Sequence, residues 1–415
     1  MVEAIAPETG AVPSPGRQHV GATDVERFTA AALTVVIAAR VSVSPGVPIG
    51  FFVAACLLPV TARAVREFRG IPLILLLAAT SAVAGLVLTW FAASEGLANH
   101  SVAIVQTARV LGLGIGTLSL LWARYILGTR VVVFLYGLST LASLVLVGVN
   151  PANPWKASFS VPIILLALSL RFVYGKARFE LPVLVGLAAV SGLNDSRSAA
   201  AMLLIAAALV ASGGARARAG RRSPALVLVR LTLIVVGGFY LVQAAILDGI
   251  LGEAVQARTI AQTETSGSVL LGGRPEIGAT FALLTSRPEG YGAGAEASAR
   301  EVLNAKGGMS AIGYDPNNGY VERYMFGNGF EVHSLLGDLW ILFGVAGLVL
   351  AVALLVLQLS GMVVALHEGL ASGVLLYLAM RSLWDFAFSP FPSAMLTLML
   401  ALAVALPHRA RPGTP

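Results

Sequence analysis

The stretch HSLLGDLWILFGVAGLVLAVALLV, from His333 to Val356, carries a polar segment directly into an apolar run. That run, 336–358, is longer than the ~20 residues an α-helix needs to cross a bilayer. Comparable runs recur outward from it, at 28–44, 47–63, 71–92, 101–122, 130–149, 158–173, 178–193, 198–213, 225–247, 367–387 and 389–407. Hydrophobic residues make up 57% of the 415 and charged residues 12%, a balance that excludes an ordinary soluble domain. The fold class expected is an all-α polytopic membrane protein of about 12 transmembrane helices. The first, sixth, seventh and eighth runs are short or interrupted by Pro, Gly or Arg, so the count carries an error of one span.

Lys and Arg collect in every second loop. Arg63, Arg66 and Arg69 follow the second run, Arg124 and Arg130 bracket the turn after the fourth, and Arg171, Lys176 and Arg178 follow the sixth. Arg216, Arg218, Arg221 and Arg222 follow the eighth, and Arg409 and Arg411 the twelfth. Short basic loops stay in the cytoplasm, which puts both termini there and the intervening loops outside. Orientation and contact with anionic lipid heads account for the net charge of +7, with no need for a nucleic acid partner.

The organisation expected is a disordered cytoplasmic tail over 1–27 with no signal-peptide pattern, and helices one to nine over 28–247. A large extracytoplasmic loop follows over 248–332, then helices ten to twelve over 333–407 and a cytoplasmic tail over 408–415. Cys56 is the only cysteine, so no disulfide or thiolate metal site forms within one chain; its apolar surroundings suggest a small buried hydrophobe.

The loop is too long to be a plain connector, and its glycine-rich turns and the helical spacing of GAEASAREVLNAK predict short helices within it. Its six basic residues are outnumbered by ten acidic ones, so phosphate binding there has to come from particular arginines rather than from a general field. Three residues at its base are candidates. His333 offers imidazole at the mouth of a helix, where it can take a hydroxyl proton, or else cap the helix. Arg197 in the turn NDSRS and Arg274 in LGGRPEIGATFALL offer forks that donate paired hydrogen bonds to phosphate. Arg197 can equally snorkel to the surface, and Arg274 pair with Glu276.

These residues resemble the O-antigen ligase and Wzy-type polymerase superfamily of bacterial envelope glycan enzymes. The resemblance rests on His333 with Gly344 and Gly347 at offsets of eleven and fourteen, on Ser196 and Arg197 in SRSAAAMLLIAAAL, and on Arg274 followed by the Gly292–Gly294 turn. It covers 181–407 together with the layout of the spans. Ser334 stands where the family usually has Asn.

The resemblance implies a GT-C-like membrane fold. It also implies transfer of a glycan from an undecaprenyl-diphosphate carrier to an acceptor hydroxyl on the outer face of the bacterial cytoplasmic membrane, without metal or other cofactor. His333 would be the base, and Arg197 and Arg274 would hold the diphosphate. The partners implied are a lipid-linked oligosaccharide or polysaccharide donor and a glycan, lipid or protein acceptor. A polymerase joining lipid-linked repeats and a non-enzymatic polysaccharide or lipid transporter are the alternatives. Arg109 lies inside a span without an assigned role, Asp195 and Glu331 look isolated, and Arg381 and Asp385 share a helical face, as an ion pair or as a site wall. Trp155, Trp340, Trp384 and Tyr291 serve as interfacial anchors or sugar platforms.

Overall fold

The structure, a computed structural model, describes residues 22–44, 46–214, 274–327 and 329–409, with Val229, Leu233 and Gly237 as single positions. The expected tail over 1–21, most of the ninth span, the basic cluster of 216–222, the loop segment 248–273 and the end 410–415 lie outside these residues.

Helix accounts for about 76% of the structure. The exception among the described residues is a small antiparallel pair, β1 (Ser42–Ser44) with β2 (Val47–Pro48). The first helix, α1 (Asp24–Ala38), begins inside the segment expected to be disordered. Thr23 and Glu26 form a reciprocal capping box that satisfies its first N–H groups.

α2 (Ile49–Cys56) and the pieces α3 (Leu58–Thr61) and α4 (Ala64–Glu67) form one run bent by 66°. Then come α5 (Ile71–Ser94), α6 (His100–Leu127), α7 (Thr129–Ala142) and α8 (Leu144–Val147). A π-turn (Trp155–Phe159) leads into α9 (Ser160–Ser169), α10 (Ala177–Leu193) and α11 (Arg197–Gly214). After the gap stand α12 (Glu276–Ser286), α13 (Ala299–Ala311), a second π-turn (Val321–Met325), α14 (Leu335–Glu368), α15 (Gly373–Phe388) and α16 (Phe391–Ala405).

Among the described residues, four helices are long and apolar enough to cross a membrane: α5, α6, the α7–α8 run and α14. The bent α2–α4 run makes up to five. Among the described residues helices stand at the other expected positions, but α9, α11 and α16 lie in apolar stretches shorter than a full crossing, and α10 holds Pro182 inside it. Cys56 is exposed on α2 rather than buried.

α14 is not one rod. Gly344 has φ +63 and ψ −149, outside helical geometry, so a short buried head, Leu335 to Phe343, meets the spanning part at a break. The break frees the carbonyl of Ile341, which accepts N–H groups from Tyr291 (2.8 Å) and Gly292 (3.1 Å). The loop is thereby sewn into the helix, and it continues onto α5 through Ala293 N to Gly85 O (3.2 Å) and Gly294 N to Thr89 Oγ1 (3.0 Å). Gly292 is required there, because its φ is +123 and a Cβ would lie 2.7 Å from the backbone nitrogen of Thr89.

The helix ends sort onto two faces. On one, Arg69 N meets Pro407 O, Arg409 N meets Glu67 O, and half-buried Arg124 donates to the carbonyls of Ala403 (2.7 Å), Val404 (3.0 Å) and Leu406 (2.8 Å) at the end of α16. On the other, the α5–α6 turn pairs with the loop, with Asn99 N to Gly294 O (2.7 Å) and Glu296 N to Leu97 O (2.9 Å).

Candidate functional site

On the loop face the chain doubles back before α14. Asp338, buried in the helix head, accepts the N–H of Val332 (2.7 Å) and that of Phe391 (2.8 Å). One carboxylate therefore ties the backbone next to His333 to the start of α16. Ser334 caps the helix by accepting from Gly337 N (3.2 Å) and donates to Phe386 O (2.9 Å). A hydroxyl suffices for both bonds, so the position does not need the carboxamide that the resemblance suggested.

Between these two anchors His333 takes φ +56, a left-handed conformation that a residue with a side chain rarely adopts. Its Nε2 lies 3.8 Å from Glu331 Oε1, its ring centroid is 6.2 Å from that of Tyr320, and its Nδ1 is buried without a hydrogen-bond partner. The Tyr320 hydroxyl donates a short hydrogen bond to Glu276, whose other oxygen is also buried and unpartnered. Burial and that carboxylate hold the Tyr320 phenol in its neutral form well above the usual range, against the opposing field of Arg274.

Arg274 sits at the foot of α12. Its guanidinium lies 5.4 Å from the ring centroids of both Trp384 and Phe388 and donates to the Phe388 carbonyl (3.3 Å). Glu276 turns to Tyr320, so the expected pairing of Arg274 with Glu276 gives way to an aromatic seat at the end of α15. His333 and Arg274 thus flank one tyrosine–carboxylate pair. His333 Nδ1 and Glu276 Oε2 are both buried with a hydrogen-bonding valence to spare.

Arg197 opens α11, with Nε 3.7 Å from Asp195 Oδ1. α11 packs against α15, the helix that also seats Arg274. Asp195 and Glu331, isolated from other acidic residues in the sequence, each lie beside a basic residue two positions on, where the backbone takes a left-handed turn at Asp195 and at His333.

On the far side of Glu331 stands Arg109 of α6, whose charge interacts with it. Arg109 donates to Gly46 O (2.8 Å) and to Gln106 Oε1 (3.2 Å). Partial burial pushes the Glu331 carboxyl above its ordinary range, with His333 and Arg109 pulling it back.

Sequence reasoning missed Tyr320 altogether and named Glu276 only as a partner for Arg274. Tyr320 lies in a glycine- and asparagine-rich turn that carries no periodicity, whereas Glu331, two residues from His333, was within reach of a search for partners. Arg381 and Asp385 form an internal ion pair at 3.0 Å, with Ser389 donating to the same carboxylate (2.6 Å). Trp340 is buried with its indole N–H on Pro288 O (2.9 Å), and Tyr291 is buried, so both are structural. Comparison with protein-family models, with curated proteins and with solved structures finds no match, and the functional reading rests on the residues themselves.

Proposed function

We propose that the protein is a glycosyltransferase of O-antigen ligase type in the bacterial cytoplasmic membrane. In this reading it moves a glycan from an undecaprenyl-diphosphate carrier to an acceptor hydroxyl on the outer face. The observation that supports it is that His333 stands beside Tyr320, whose hydroxyl donates to Glu276, with the charge of Arg274 acting on the same phenol. His333 takes the acceptor proton as the new glycosidic bond forms, and the bond from the sugar to the diphosphate breaks with inversion. Arg274 and Arg197 meet the charge that grows on the departing lipid diphosphate, a contribution of roughly 3 kcal/mol for one well-placed donor. The twelve-span layout and cytoplasmic termini belong to the same proposal, with the positive-inside pattern behind them.

The test is glycan transfer by purified full-length protein from an undecaprenyl-diphosphate oligosaccharide, with EDTA present. Both a glycan–lipid acceptor and a second lipid-linked repeat are offered, since a polymerase would use the same base and arginines. Replacing His333 by Ala should lower transfer roughly 10²- to 10⁴-fold, and Arg197→Ala and Arg274→Ala should each lower it about 10²-fold. Undiminished transfer by His333→Ala removes the base.

A further inference from the structure

A cavity of about 340 Å³ opens among Gln106, Arg109, Arg323, Tyr324, Phe330 and Glu331, and it reaches His333 through Glu331, whose Oε1 lies 3.8 Å from the imidazole Nε2. Its volume falls at the lower end of small-ligand sites. Arg109 lies ~14 Å along α6 from His100, at 1.5 Å per residue, so the cavity reaches below the outer ends of the helices. A charged residue at that depth is costly unless function retains it.

The lining defines the ligand chemistry. Arg109 is fixed by Gly46 and Gln106, which makes it a preorganised donor rather than a mobile one. Glu331 supplies acceptor oxygens on the same wall, and Tyr324, 65% exposed, offers a ring face with Phe330 deeper in. A phosphate would meet the Glu331 carboxylate, and a lipid chain would meet two guanidinium groups. Donors, acceptors and aromatic faces together suit an uncharged polyhydroxylated ring, whose hydroxyls both give and accept while its C–H face packs on an aromatic side chain.

We infer that this cavity is the subsite for a sugar ring of the acceptor, held between Arg109 and Glu331 with its hydroxyl next to the His333 imidazole. The assignment of the ring to the acceptor rests on the transferase reading above. Glu331, 3.8 Å from His333 Nε2, is the group that passes from the cavity wall to the base. In this arrangement Arg274 takes the diphosphate and Arg109 the acceptor sugar, with Glu331 as the step between the cavity and His333.

Saturation-transfer NMR on the full-length protein in nanodiscs tests this, with methyl glycosides of glucose, galactose, mannose and N-acetylglucosamine as probes. At least one glycoside should receive saturation. Tyr324→Ala, a substitution at an exposed position that leaves the fold intact, and Glu331→Gln should each weaken its binding about tenfold, the effect of losing one strong polar or stacking contact. His333→Ala and Arg274→Ala should keep the binding. Failure of every glycoside to bind, binding unchanged in both cavity variants, or displacement of the glycoside by inorganic phosphate would overturn the subsite. Transfer that survives His333→Ala while glycoside binding still depends on Tyr324 would remove the proposed chemistry and support the subsite.

Discussion

At the scale of single residues, His333 combines a left-handed backbone with a side chain positioned by a carboxylate and a phenol. Such a conformation costs on the order of 1 kcal/mol for a residue with a Cβ, so the site stores strain at its proposed base. His333→Gly should therefore abolish transfer while raising thermal stability slightly, by up to about 1 kcal/mol. A melting curve lower than wild type would show that the imidazole holds the fold together instead. The candidate histidine and Arg274 were legible because each interrupts an apolar or glycine-rich context with chemistry that context does not need. Tyr320 was not, because its importance arises from contacts with Glu276 and His333, 44 and 13 positions away, and no local pattern encodes such a meeting.

Among the elements, α14 shows how a correctly expected apolar run conceals its own break. Glycine within a long apolar stretch reads as helix, and the interruption at Gly344 exists because Glu289 and Gly290 of the loop pack against it, so closely that a Cβ added at Gly290 would lie 2.7 Å from the Gly344 Cα. The information lies in tertiary contact rather than in periodicity. Gly344→Ala places a methyl group against the Glu289 carbonyl at a positive φ, and should destabilise the protein by about 2 kcal/mol. Limited proteolysis checks this: cleavage near 287–294 should accelerate in the variant, and an unchanged rate would mean the loop is held elsewhere. Asp338 belongs to the same joint. Its replacement by Ala strips two buried N–H groups of their acceptor and should cost about 3 kcal/mol in a thermal melt.

For the whole molecule, the membrane character was legible from composition, and the helices stand where the apolar runs do. Their lengths were not legible, since a run of apolar residues does not say where turns such as the 66° bend after Cys56 cut it. The basic loop ends and the loop carrying His333 occupy opposite faces, which makes sidedness measurable. In a Cys56→Ser background, Tyr324→Cys should react with an impermeant maleimide in intact cells, and Arg66→Cys only after permeabilisation. The reverse pattern would invert the topology and move the proposed site to the cytoplasm. Arg124 adds a consequence in the order of biosynthesis. Its guanidinium sits in the last turn of α6, yet the carbonyls that accept from it belong to residues made 279 to 282 positions later. Until α16 has been made and packed, that cation is met by water and lipid head groups, so this end of α6 gains its folded hydrogen bonds only after synthesis has passed Leu406.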